Sequence, residues 1–171
     1  LAQTCRNKGV EVIEKTIEEA NLQGGANVIT NFELIEHLFN PTDFIKSCYD
    51  ALMPAGLFII TTPNIKGFDL MTLMDMSDNI VGPNHVNYFH PKSISRLLER
   101  CGFEVVEILT PGKLDVELVH NKVLSNEFDI SNQPFLKHVL IDEWDELGEK
   151  FQKFLADNLL SSHMWVVAKK I

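Results

Sequence analysis

The chain has 171 residues, 45% hydrophobic and 23% charged, a size and composition that suit one packed domain and leave two cramped. Twenty-four acidic against fifteen basic residues give a net charge of −9, and the bases are scattered, so nucleic acid is not expected as a partner. No apolar run approaches the roughly 20 residues that cross a bilayer, so no membrane is expected either. Cys5, Cys48 and Cys101, without CxxC spacing, read as reduced core thiols of a cytoplasmic protein.

In chain order, "LAQTCRNKG" reads as a helix already under way at residue 1 and stopped by Gly9. "VEVIE" (10–14) alternates like a short strand, and Thr16 caps a helical turn in "TIEEANLQ". Gly24-Gly25 break the chain before "ANVIT" (26–30), a continuous apolar strand of the kind buried on both faces. "FELIEHLF" reads as a short helical piece, and Asn40-Pro41 opens a helix whose Phe44, Ile45, Cys48, Tyr49 and Leu52 form one stripe. "PAG" (54–56) is expected to end that helix, and "LFIITT" (57–62) is a central strand bounded by Gly56 and Pro63.

Residues 64–90 form a long connection with one apolar turn, "FDLMTLM", the kind of loop that carries function in an α/β unit. Pro91 opens the helix "PKSISRLLERC", Gly102 stops it, and "FEVVEILT" (103–110) is a strand. The stretch 134–160 keeps a helical period from Phe135 to Leu159 as one long helix, or two with a break near Gly148; "SSHMWVVAKK" closes the chain as a strand. The order β-α-β-α-β-loop-α-β-insert-β defines an α/β class with a mostly parallel sheet.

"ANVITNFELIEHLFNPTDFIKSCYDALMPAGLFIITTPN" followed by "HVNYFHPKSISRLLERCGFEVVEI" resembles the class I S-adenosylmethionine-dependent methyltransferases of the small-molecule, ubiquinone-biosynthesis type. The likeness runs over residues 1 to 110 and returns at the final strand. It implies a doubly wound, Rossmann-like sheet of order 3-2-1-4-5-7-6 with strand 7 antiparallel. Residues 10–14, 26–30, 57–62, 103–110 and 162–169 would be strands 3, 4, 5, 6 and 7, with a helical insert at 112–160 between the last two. Strands 1 and 2, with the glycine-rich turn and ribose-binding acid they carry, have no counterpart in these residues. The chain is thus expected to be the C-terminal portion of a methyltransferase domain, binding S-adenosylmethionine feebly and transferring no methyl group by itself.

The resemblance also implies site residues. His37, one turn past strand 4, and His85, in the long loop, are the expected general bases for a small-molecule acceptor; His37 reads equally as a loop-binding residue. Glu36 and Asn64 are expected on the acceptor side, Glu36 also as an orienting carboxylate and Asn64 also as a turn residue. Thr16, Ile17 and Glu18 would border the adenine, although Thr16 reads as well as a plain N-cap. Asn31 and Phe32 would border the cofactor's sulfonium and adenine, with Phe32 alternatively in the core. No HExxH, HxH or carboxylate cluster joins the histidines, so no metal is expected. The insert resembles that of a subset found with polysaccharide machinery, which suggests a sugar-linked acceptor; its apolar stripe suits a homo-oligomer contact as well. A non-catalytic interaction module and an α/β enzyme of another nucleotide cofactor are the competing readings.

Overall fold

The computed structural model describes residues 1–80 and 82–171. Helix α1 (Ala2–Asn7) comes first, and α2 (Ile17–Ala20) is capped by Thr16, whose Oγ1 accepts the Glu19 N–H at 3.3 Å. Strand β1 (Ala26–Phe32) leads through a 3₁₀ turn (Ile35–His37) into α3 (Pro41–Ala51), where Asn40 Oδ1 accepts the Asp43 N–H at 3.2 Å. Strand β2 (Leu52–Pro63) follows directly. Helix α4 (Phe68–Leu73) and a 3₁₀ turn (Met74–Met76) occupy the long connection before α5 (Pro91–Arg100) and β3 (Phe103–Leu109). The insert holds α6 (Asp115–Leu124), α7 (Pro134–Lys137), a π turn (His138–Asp142) and α8 (Trp144–Asp157), and β4 (His163–Lys170) ends the sheet.

The sheet order is β1-β2-β4-β3. Strand β1 is parallel to β2, whereas β4 lies antiparallel between β2 and β3, the arrangement expected for the family's strands 4, 5, 7 and 6. One face is closed by α3 and α5: Phe44, Ile45, Cys48, Ile94 and Leu98 pack on Phe58, Ile60, Met164, Val166 and Ala168. The opposite face is open. Phe32 pairs with Thr61, Thr61 with Trp165 and Trp165 with Leu109, and in-register neighbours share a face. In that row Phe32 is 56% exposed, Leu109 47% and Trp165 40%.

Three expectations are corrected. Residues 10–14 do not form a strand: Val10 N–H donates to Cys5 O at 3.1 Å, Arg6 Nη2 to Val12 O at 3.3 Å, and Arg6 pairs with Glu14. An extended segment is held in a sheet by a neighbouring ladder, and among the described residues none runs beside it, so α1 takes up its polar groups instead. Pro54-Ala55-Gly56 does not separate helix from strand. α3 already ends at Ala51, and the register jumps from Ala26↔Leu52 to Val28↔Leu57, so these residues bulge out within β2. A Cβ on Gly56 would stand 2.9 Å from Met53 O, which explains the glycine.

The third correction concerns the insert, whose helix breaks at Glu143 (φ −127°, ψ 32°) and not at Gly148. Gly148 lies inside α8 beneath the Trp144 ring, where a Cβ would come within 2.9 Å of it; the glycine permits close approach and leaves the helix intact. The insert has its own core of Val116, Val119, Val139, Leu140 and Leu155. Buried Asp115 ties it to the sheet, accepting from Ser161 Oγ, Ser162 Oγ, Ser162 N–H (2.6 Å) and Gln152 Nε2 (2.6 Å). Among the described residues no helix is long and apolar enough to cross a membrane.

Candidate functional site

The site grows from the C-terminal end of β1. Asn31 sits in the packed face of the strand, 5% exposed, with its Oδ1 buried and unpartnered, while Phe32 points to the open face, its ring centroid 6.3 Å from that of Trp165. Glu33 then adopts φ +46°, turning the chain sharply, and Ile35 drops into the core at 0% exposure, anchoring the 3₁₀ turn. That anchor buries Glu36 at 1% exposure, where Thr62 Oγ1 donates to its Oε2 at 3.0 Å. Burial pushes the Glu36 carboxyl above the ordinary carboxylate range, against the lowering effect of its hydrogen bonds.

The long connection folds back onto this turn. Val86 and Asn87 N–H both donate to Glu36 O, at 2.9 and 3.0 Å, and Asn87 Nδ2 donates to Leu38 O at 2.6 Å. His37 Nδ1 lies 2.8 Å from Asn84 O and His85 Nδ1 lies 3.0 Å from Asn79 O. A carbonyl opposite Nδ1 selects the tautomer protonated there, so Nε2 is the free lone pair of both rings. The two rings meet edge to face with centroids 4.7 Å apart, and His37 Nε2 is 3.9 Å from Glu36 Oε1, which has no hydrogen-bond partner.

The structure brings Glu36, His37 and His85 together just past the end of β1, with Asn31 and Phe32 preceding them on opposite faces of the strand. Asn64 is fully buried: its Nδ2 donates to Leu159 O and Ser161 O at 3.2 and 2.9 Å, and its Oδ1 accepts the Lys66 N–H at 3.1 Å. Its polar atoms are committed to joining β2 to β4, which supports the reading of Asn64 as a turn residue. Thr16 is occupied as a cap, and α2 packs on α3 with Ile17 against the core. Burial, helped by the Glu18 charge, pushes the Cys48 thiol up to about 12.

Two residues that hold the site went unnoticed in the sequence, Thr62 and Asn87. The signal for Thr62 was a polar pair, Thr61-Thr62, ending an otherwise apolar strand; nothing distinguished Asn87 from a turn asparagine. An apolar cleft of about 720 Å³ is lined by Ile65, Leu70, Met71, Met74, Asp75 and Ile80 in the long connection that also carries His85. A second cleft of about 560 Å³, lined by Val116, Trp144, Gly148 and Gln152, lies between α6 and α8 in the insert.

A parallel strand pair continued by an antiparallel β4, with polar groups at the C-terminal edge, is the class of α/β fold that binds its ligands at strand ends. A family described as "Methyltransferase domain" matches residues 3–108, and the chain belongs to it. A "Probable S-adenosylmethionine-dependent methyltransferase" of Mycolicibacterium smegmatis is 34% identical over 83 residues, covering 48% of this chain and 30% of the relative. A "Ubiquinone biosynthesis O-methyltransferase" of Coxiella burnetii is 28% identical over 112 residues, covering 61% and 44%. The chain therefore spans less than half the length of the curated relatives it matches. Among solved structures, a SAM-dependent methyltransferase of Thermotoga maritima shares the fold with a TM-score of 0.60 at 17% identity, covering 99% of this chain and 68% of that one.

Proposed function

We propose that the protein containing this chain transfers a methyl group from S-adenosylmethionine to an oxygen of a small molecule. The observation that carries this reading is the His37–His85 pair, with buried Glu36 beside it, just past the C-terminal end of β1 in a chain of methyltransferase family. S-adenosylmethionine supplies an electrophilic methyl on a sulfonium. The orphaned amide oxygen of Asn31 fits that group, since a sulfonium favours a partial negative charge, while Phe32 offers its aromatic ring on the other face of β1.

His37 or His85 takes the acceptor's proton at its Nε2, the other ring holding it in place edge-on. Asn84 O, on Nδ1, orients His37, and the buried Glu36 carboxylate 3.9 Å from Nε2 stabilises the imidazolium that forms. The apolar cleft at Ile65, Leu70 and Met71 receives the acceptor's apolar part and keeps water from the reacting oxygen. Transfer to oxygen is supported by the ubiquinone O-methyltransferases among the relatives, and a sugar-linked acceptor is the narrower form of the proposal.

The test, made on the whole protein that contains this chain, is transfer of labelled methyl from S-adenosylmethionine to a panel of phenols, catechols and nucleotide sugars. His37→Ala is expected to lower turnover by about 10²–10⁴-fold with cofactor affinity unchanged, since general-base catalysis is worth that much. Transfer to no acceptor in the panel, or equal turnover in wild type and His37→Ala, would overturn the proposal.

A further inference from the structure

We propose that Asp69 and Asn79 are positioning residues that fix the tautomer and orientation of His85, leaving its Nε2 free at the site. Asn79 meets the ring with its backbone: its carbonyl oxygen lies 3.0 Å from His85 Nδ1. Its side chain is tied elsewhere, Nδ2 donating to Asp69 Oδ2 at 3.3 Å. The carbonyl that selects the His85 tautomer is therefore held, through one residue, by a carboxylate on α4.

Both ends of this connection are anchored. Asp69 is 1% exposed in the first turn of α4. That turn is set against the segment entering β4: Phe68 N–H donates to Leu160 O at 2.8 Å, and a Cβ on Gly67 would overlap the backbone of Ser162. Asn79 sits in a tight turn closed by Ile80 N–H on Ser77 O at 3.0 Å, and its own N–H donates to the Oγ of buried Ser77 at 3.3 Å. The His85 ring is met edge to face by His37 and by Tyr88, with centroids 4.7 and 5.9 Å away. Those two contacts limit where the ring lies, whereas the hydrogen bond on Nδ1 sets which nitrogen carries the proton.

A carboxyl group suits the task. Whether ionised or protonated at Oδ1, Asp69 keeps Oδ2 as an acceptor, so Asn79 must present its amide N–H there and cannot flip. Asp69 Oδ1 is buried without a partner, so the group is costly where it stands and an apolar residue would pack α4 at less expense. With Nδ1 protonated towards Asn79 O, His85 offers a lone pair at Nε2 to the acceptor's proton or to the ring that takes it. That consequence rests on the methyl-transfer reading; the clamp on the ring does not.

The whole protein that contains this chain, isotope-labelled in histidine, reports the tautomer by long-range proton–nitrogen correlation at about pH 8.5, where an unperturbed imidazole is neutral. The His85 signal is the one missing in His85→Ala. Wild type is expected to carry the proton on Nδ1. Asn79→Ala, which keeps the carbonyl but frees it, and Asp69→Leu should move the proton towards Nε2. Both should lower kcat by at least about tenfold, within the roughly hundredfold that a 1 Å misplacement costs, with KM for S-adenosylmethionine unchanged. Asp69→Asn keeps an acceptor in place and should retain the wild-type tautomer, and Asp78→Asn, at an exposed neighbour, should leave both readouts unchanged. Should Asp69→Leu fail to fold, Asn79→Ala, outside both apolar cores, still decides. A proton on Nε2 of His85 in wild type, or an unmoved tautomer in Asn79→Ala, would overturn the proposal. A moved tautomer with undiminished turnover would uphold the clamp and remove His85 from proton transfer instead.

Discussion

Thr62 reaches across from β2 to hold Glu36: its Oγ1 donates to Oε2 at 3.0 Å, and both residues are buried. The bond fixes the carboxylate beside His37 and satisfies half of a buried anion. Thr62→Val keeps the shape and removes the donor, so it should destabilise the fold by about 1–3 kcal/mol, the cost of leaving a buried acceptor unmade. Urea unfolding of the two proteins measures the difference, and a change below about 0.5 kcal/mol would mean that water reaches the carboxylate.

Asn64 supplies the complementary prediction. Its side chain donates to the carbonyls of Leu159 and Ser161 from a fully buried position, so Asn64→Ala strands both. A loss of about 2–4 kcal/mol is expected from two such bonds, with affinity for the cofactor unchanged. A raised KM for the acceptor at unaltered stability would return Asn64 to the acceptor side of the site.

Two buried aspartates make opposite pH predictions. Burial pushes Asp115 up, but hydrogen bonds from Ser161, Ser162 and Gln152 together hold its carboxyl below the ordinary range. A folded pKa under the unfolded one, about 3.9, gives stability that is present above that value and is lost as pH falls through the folded pKa. Asp69 is raised, chiefly by burial, and its Oδ1 has no partner. Its contribution is present below about 3.9 and is lost as pH rises through its folded pKa. Measured by urea unfolding from pH 3 to 7, Asp115→Asn should fall further behind wild type as pH rises, and Asp69→Asn should gain on it. Parallel curves for either variant contradict the assignment.

Gly148→Ala tests the close contact in the insert. Alanine is about 1 kcal/mol the better helix former, yet its methyl would meet the Trp144 ring, itself stacked on His120 with centroids 3.7 Å apart. Overpacking of about 1–3 kcal/mol should win, lowering stability and shifting tryptophan fluorescence. Stabilisation would show that the ring moves freely.

Much of the fold was legible because it is local. Apolar, β-branched runs, those of β1 and β2 set off by glycine or proline, marked the strands, and Asn40-Pro41 and Pro91 marked the starts of α3 and α5. Residues 10–14 alternated at period two without becoming a strand, since alternation records a preference and a ladder needs a neighbour. His37 and His85 could each be singled out by position, but their contact depends on Val86 and Asn87 closing on Glu36 O, a long-range backbone event with no sequence period. Asn64 and Thr16 carried two readings for one reason: a polar residue at an element's end looks the same whether it faces a ligand or satisfies the protein's own backbone.

The central claim is that cofactor and acceptor meet at the end of β1, beneath the His37–His85 pair. The most direct measurement is an amide-resolved NMR titration of this chain with S-adenosylhomocysteine, which reports even weak binding residue by residue. Shifts concentrated at residues 31–37 and 84–87, with α6 and α8 silent, are the predicted result. Shifts confined to the cleft between α6 and α8, or none anywhere up to millimolar ligand, would contradict it.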